Sequence, residues 1–262
     1  MAVPGAVLDT EAVLGEDVRF AGADGDEIRG YLARPAQAGE HPGLIVIHEA
    51  FGLNDHIRDV ARRFANIGYT ALAPDLYSRE GGVDAADREA VFAAMYAQHD
   101  ERVIGDLEGA AHELLRRDDT TGAVGCIGFC SGGRQTLLFA CNTDKLSAAV
   151  DCWGGFTLRA SADAQTTPQR PVTVIDQLDR LSCPTLVVVG AEDGNPSPHD
   201  AERLAERARA AGVDLRVSVY EDAGHAFFAD YRPTYREPAA HRLWDEITAF
   251  LGRHLRAGPA RP

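Results

Sequence analysis

The chain has 262 residues, 45% of them hydrophobic, which is enough to bury a substantial core. Its formal net charge is -14, with 40 acidic residues against 26 Lys and Arg. That balance argues against a nucleic-acid partner, whose phosphates require a basic face, and against an anionic membrane surface.

The N-terminal stretch lacks a basic segment followed by an apolar run, so no signal peptide is expected. No stretch approaches the roughly 18 apolar residues of a membrane span. Cys126, Cys130, Cys141, Cys152 and Cys183 are scattered, without Cys-x-x-Cys spacing. They read as free thiols in a reducing cytoplasm. Lys145 is the only lysine, which disfavours Ser-Lys pairs and lysine Schiff bases.

Two strands open the chain, "EDVRF" (16–20) and "EIRGYLARP" (27–35), an antiparallel edge hairpin turning at Gly-Asp. "GLIVIH" (43–48) is a continuous apolar run, as expected of a strand covered on both faces. A helix follows, capped by Asn54 or Asp55, with Ile57, Val60, Ala61 and Phe64 on one face and Gly68 as its stop. "YTALAPDLY" (69–77) is the next strand. Val103, Ile104, Leu107, Ala111, Leu114 and Leu115 mark one face of a helix.

The alternation continues with a strand at 123–129, a helix at 132–142 and a strand at 146–153. Then come a strand at 184–193, a helix at 197–212, a strand at 214–224 and a final helix at 239–255. Such alternation predicts a mostly parallel central sheet with helices on both faces, as one α/β domain over residues 1–262. Ligands of such sheets bind at the carboxyl ends of the strands. The stretches Ser78 to Gln98 and Gly154 to Ser182 break the rhythm and are expected to lie over the sheet and shape a pocket.

"IGFCSGG" (127–133) sits between a strand and a helix, the context of a Gly-x-nucleophile-x-Gly elbow. Small residues are needed two positions before and after the nucleophile. Centred on Cys130, those positions are Gly128 and Gly132. Centred on Ser131, they are Phe129 and Gly133, and the phenylalanine fails on sterics. A thiolate is intrinsically nucleophilic and is favoured at a helix N-terminus. Alone, the motif fits equally a buried cysteine in a glycine-rich turn.

Two further residues extend the pattern. Asp193 follows one strand in "GAEDG", and His225 follows the last in "DAGHAFF". The order nucleophile, acid, histidine is that of an α/β-hydrolase. Each could also be an ordinary loop residue. As a triad, Asp193 would orient His225, and His225 would activate Cys130. The backbone N–H groups of Ser131 and, from the loop after "LIVIH", of Ala50 would form the oxyanion hole.

Together, "HEAFGLNDHIRDVARRFANIGYTALAPDLYSR", "VGCIGFCSGG", "AAVDCWGG", the strand ending in Asp193 and "AGHAFF" resemble the dienelactone hydrolase (carboxymethylenebutenolidase) family over nearly the whole chain. The resemblance implies an α/β-hydrolase fold with a Cys130–His225–Asp193 triad, and no cofactor. It implies that Glu49 lies near the thiol and takes part in its ionisation, and that Arg79 meets a substrate carboxylate. Without it, Glu49 reads as a salt-bridge partner or strand-end cap and Arg79 as a solvated loop charge. Dienelactone-cleaving members carry a serine directly after the histidine and an arginine four residues after it. Here those positions are Ala226 and Ala229, and Arg232 is out of register.

The expected activity is hydrolysis of a lactone or activated ester, such as an enol-lactone, through a thioester acyl-enzyme. The alternatives are a broader carboxylesterase or thioesterase on the same fold, and a ligand-binding protein that has lost turnover. A metal site at His48, Glu49 and His56 lacks His-Glu-x-x-His spacing. The expected partner is a small molecule, with the chain a monomer or small homo-oligomer in the cytoplasm.

Overall fold

A computed structural model describes residues 2–158 and 166–255. Its centre is an eight-stranded sheet in the order β1-β2-β4-β3-β5-β6-β7-β8. The opening hairpin is β1 (Val13–Ala21) and β2 (Glu27–Pro35), antiparallel, with Val13 opposite Pro35 and Ala21 opposite Glu27. β2 pairs antiparallel with β4 (Thr70–Pro74). From β4 onward every pairing is parallel: β3 (His41–Ile47), β5 (Thr120–Phe129), β6 (Ala148–Cys152), β7 (Thr185–Gly190) and β8 (Leu215–Tyr220). This is the α/β-hydrolase arrangement expected from the alternation of elements. β4, β6, β7 and β8 are shorter than expected, while β1 and β5 are longer; β4 stops at Pro74 because Asp75 turns the chain, its carboxylate accepting from Tyr77 N at 3.1 Å.

The period of two along a strand divides the core into two layers. Leu44 and Val46 of β3 pack with α1 (Asp55–Asn66) and α6 (Glu237–Leu255) on one face. Ile45 and Ile47 pack with α3 (Asp100–Leu115) and α4 (Ser131–Ala140) on the other. α5 (Pro198–Ala211) joins that second face through Leu204, against Leu137 and Leu138. The apolar stripe of α1 is the predicted one, with Ile57, Val60, Ala61 and Phe64 all buried. Asn54 is its cap, accepting from Ile57 N, and Gly68 lies beyond its end at a φ of 99°.

The first overlying stretch contains a helix the sequence pattern did not show, α2 (Arg88–Ala97). Only Val91 and Met95 of it are buried, so its apolar face is too narrow for a clear period. Of the second stretch, residues 159–165 lie outside the described residues, as do 1 and 256–262 of the expected domain. No helix among the described residues is long and apolar enough to cross a membrane.

Candidate active site

Cys130 joins β5 to α4 with φ 55° and ψ -117°, a conformation costly for any residue with a side chain. Two close backbone approaches hold it there. A Cβ on Gly128 would meet Gly132 O at 2.1 Å, and a Cβ on Gly132 would meet His48 O at 2.5 Å. The glycines flanking Cys130 therefore let the turn fold back on itself and press against the end of β3. Cys130 N donates to Cys152 O at 3.0 Å, tying the turn to β6. Phe129, the residue that disfavoured the serine register, is buried.

Of the five cysteines, Cys130 alone is partly exposed. Burial pushes the thiols of Cys126 and Cys141 up to about 12 and that of Cys183 up to about 11, and raises Cys152 strongly as well. Those four are inert packing residues.

His225 and Asp193 extend from the loops after β8 and β7. His225 Nδ1 lies 2.7 Å from Asp193 Oδ2, while Asp193 Oδ1 accepts from Asn195 N at 2.9 Å. Both carboxylate oxygens are thus engaged and the acid is fixed in place. Burial on its own would lower the His225 pKa. The hydrogen bond to Asp193, the influence of Cys130 and the Asp193 charge outweigh burial and hold the imidazolium to about 10. The ring therefore meets the acid and shares the cavity wall with the thiol.

Cys130, Ser131, Asp193 and His225 line one cavity of about 430 Å³, with Phe92, Met95, Tyr96, Phe156, Arg134 and Arg170 among its other walls. α2 supplies part of its apolar side, so the stretch over the sheet does shape a pocket.

The remaining candidates lie outside that wall. Glu49 is buried behind it. Its Oε2 accepts from Arg232 Nη2 at 2.7 Å and from Tyr231 Oη at 3.2 Å, while Oε1 is buried with no partner among the described residues. Ala50 is buried, and its carbonyl accepts from Tyr77 Oη at 3.1 Å. The neighbouring His48 is a structural residue: Leu76 N donates to Nε2 at 3.1 Å and Nδ1 meets Glu49 O at 2.6 Å. His56 instead faces Asp230, at 3.2 Å.

Arg79 departs from its expected placement. It makes a two-pronged bond to Asp106 on α3, at 2.7 and 2.8 Å, and further bonds to Asp26 and Ala23 O. These acceptors lie in the β1–β2 turn and on α3. Its donors are engaged with the protein itself, and it does not line the cavity that holds Cys130.

The family model described as "Dienelactone hydrolase family" matches residues 28–255. A relative from Escherichia coli K12, named "Putative carboxymethylenebutenolidase", is 37% identical over 235 residues, spanning 88% of this chain and 84% of its own. The chain belongs to the dienelactone hydrolase family. It is therefore a hydrolase acting on ester bonds. A crystal structure described as a "Putative Dienelactone Hydrolase" from Klebsiella pneumoniae superposes with a TM-score of 0.84 at 33% identity, covering 92% of this chain and 99% of that one. A Bradyrhizobium relative named "Probable 2-oxo-3-(5-oxofuran-2-ylidene)propanoate lactonase" is 30% identical, spanning 89% of this chain and 92% of its own.

Sequence spacing missed several parts of the site's surroundings. Arg232 reaches Glu49 although it stands seven positions after His225, because the loop after β8 carries it back over the end of β3. Tyr77 supports the loop at Ala50. Arg134 and Asp100 form a buried two-pronged pair at 2.7 and 2.9 Å in the cavity wall. The signal that could have suggested the last is that Arg134 is the only charged residue of α4.

Proposed function

We propose that this enzyme cleaves lactones or activated esters with Cys130 as nucleophile, His225 as general base and acid, and Asp193 as the orienting carboxylate. The observation that carries the reading is the strained Cys130 turn in the same cavity wall as the His225–Asp193 bond of 2.7 Å. His225 takes the Cys130 proton, Sγ attacks the carbonyl carbon, a C–S bond forms, and the carbonyl π bond opens to place charge on its oxygen. The N–H groups of Ser131 and Ala50 are the donors assigned to that oxyanion; neither has a backbone acceptor among the described residues. The C–O bond then breaks and His225 delivers a proton to the departing oxygen, leaving a thioester. His225 next takes a proton from water, hydroxide adds to the thioester carbon, and the C–S bond breaks to release the acid.

Glu49 is assigned an assisting part in that ionisation when substrate binds. Its unpartnered Oε1 supports this, since an ion pair to Arg232 engages only the other oxygen.

Sulfur limits the substrate. A thiol has a pKa of about 8.5 and an alkyl alcohol leaves as a base closer to that of bulk water, about 15.7. The tetrahedral intermediate would therefore return thiolate before it expelled an alkoxide. Enols, phenols and thiols are the competent leaving groups. The Bradyrhizobium relative is named for an oxofuranylidene substrate, an enol-lactone bearing a carboxylate, which fits that requirement.

Turnover of phenyl acetate and ethyl acetate by wild type, Cys130→Ala and Ser131→Ala tests the assignment. The aryl ester should be cleaved far faster, Cys130→Ala should be inactive with an unchanged fold, and Ser131→Ala should retain turnover. Faster cleavage of the ethyl ester, or loss of activity in Ser131→Ala alone, would refute it.

A further inference from the structure

A second cavity, of about 420 Å³, lies beside the β1–β2 hairpin and shares no lining residue with the catalytic one. Three arginines line it: Arg19 on β1, Arg29 on β2 and Arg58 on α1. The chain as a whole carries a net charge of -14, so cations gathered round one cavity run against its balance.

Strand register creates the cluster. Arg19 stands directly opposite Arg29 in the antiparallel pair. Opposed residues of such a pair project to the same face, and like charges there destabilise it. Asp17 and Tyr31 are the next pair along that face, and the Arg58 guanidinium lies over the Tyr31 ring, 4.9 Å from its centre. The hairpin and α1 therefore bring three guanidiniums together at an electrostatic cost.

The protein offsets that cost only in part. Arg19 pairs with Glu27, but the two side chains are 65% and 61% exposed, and pairs so exposed contribute little and exchange readily. Arg58 donates from Nη1 to Asp17 at 2.6 Å, and that carboxylate is 76% exposed. Arg29 donates from Nη2 to Asp75 Oδ2 at 2.8 Å, while its Nε is buried with no partner among the described residues. Asp75 has nothing more to offer, since its other oxygen accepts from Tyr77 N. Among the described residues each guanidinium thus engages one of its three nitrogens. Gly81 and Gly82, at φ of 82° and 102°, form another part of the wall, so no side chain fills the space there.

We propose that this cavity binds a small polyanion, a phosphate ester or a polycarboxylate, between Arg19, Arg29 and Arg58. Planar guanidinium forks suit both kinds of group, and the added negative charge would relieve the repulsion between Arg19 and Arg29. The site lies apart from Cys130 and does not depend on the hydrolytic reading.

Calorimetric titration of pyrophosphate and of citrate into the whole protein, at an ionic strength fixed with sodium chloride, tests the site. Wild type should bind at least one of them at millimolar concentration, and the tighter of the two identifies phosphate or carboxylate as the preferred group. Arg29→Gln should weaken binding about 10-fold, the effect of losing a hydrogen bond between charged groups. Arg19→Gln should weaken it about threefold, because that side chain is exposed. Arg19→Lys should recover part of the loss, since it keeps the charge without the fork.

Thermal unfolding separates binding from folding. Without anion, Arg19→Gln should unfold no earlier than wild type, because the repulsion is gone. The anion should raise the midpoint of wild type more than that of Arg19→Gln. Should Arg29→Gln fail to fold with Asp75 stranded, Arg58→Gln takes its place. Binding that both substitutions weaken supports the proposal. No binding of either anion, or binding that either substitution leaves unchanged, overturns it.

Discussion

Arg232 Nη2 donates to Glu49 Oε2 at 2.7 Å, joining the loop after β8 to the loop after β3. Glu49 is almost wholly buried, its side chain 3% exposed, and Arg232 keeps 19%. Arg232 is positioned in turn by Phe51, whose ring centre lies 4.6 Å from the guanidinium, and by Tyr231 Oη at 3.0 Å from its Nε.

Removing the arginine leaves that carboxylate with a single hydroxyl donor. Arg232→Met should lower stability by about 3 kcal/mol, the usual cost of stranding one member of a buried pair. Adding Glu49→Gln should recover more than a third of it, because the stranded charge is then gone. Urea unfolding of wild type, both single variants and the double variant measures the coupling. Strictly additive losses would show that the pair does not act as a unit.

Arg79→Ala should also destabilise by about 3 kcal/mol, since Asp106 is 1% exposed and loses its two-pronged partner. Its effect should be confined to stability. Turnover of phenyl acetate per folded enzyme should be intact, and a rise in its KM would return Arg79 to the substrate site.

The elbow glycines allow a matched comparison. Gly132→Ala places a Cβ 2.5 Å from His48 O, a backbone atom that cannot move aside cheaply. It should cost several times the roughly 1 kcal/mol by which alanine exceeds glycine in helix preference, and should abolish turnover by displacing Cys130. Gly252→Ala lies within α6 with nothing inside 4 Å of the added carbon, and should stabilise by about 0.5–1 kcal/mol. Thermal unfolding of the two variants should shift in opposite directions.

Asp151 confers a pH dependence on folding. Burial raises its pKa from 3.8 to about 7, only partly offset by the Gly154 N–H donating to Oδ1 at 2.8 Å. Between those values the folded chain keeps a proton that the unfolded chain has lost, so stability falls as pH rises across that window and is level above it. The full difference is on the order of 4 kcal/mol. Asp151→Asn should flatten this slope and be more stable than wild type at pH 8, with the difference shrinking toward pH 4. Urea midpoints measured across that range check the sign; a wild-type midpoint that rises with pH in that window would contradict it.

Much of the architecture was legible along the chain because its causes are local. The apolar run 43–48 can only be covered on both faces, and the stripe Ile57, Val60, Ala61, Phe64 can only be one side of a helix. The turn at Cys130 was legible for the same reason: glycines two positions either side permit a backbone approach that Phe129 would block. The places of Asp193 and His225 followed from strands whose carboxyl ends lie on one edge of a parallel sheet. Helix α2 was not legible, since two buried residues make no period.

Apart from α2, the sequence by itself determined the order of elements, the strained turn and the convergence of Cys130, Asp193 and His225, because backbone sterics and sheet direction act over a few residues at a time. Only the tertiary structure decided the partners of the long charged side chains. Arg79 and Asp106 stand 27 positions apart, and Glu49 and Arg232 stand 183 apart. An arginine spans several ångströms on rotatable bonds, and which carboxylate it meets depends on how loops from distant strands pass one another. That is why Arg79 turned to α3 and Arg232 to Glu49.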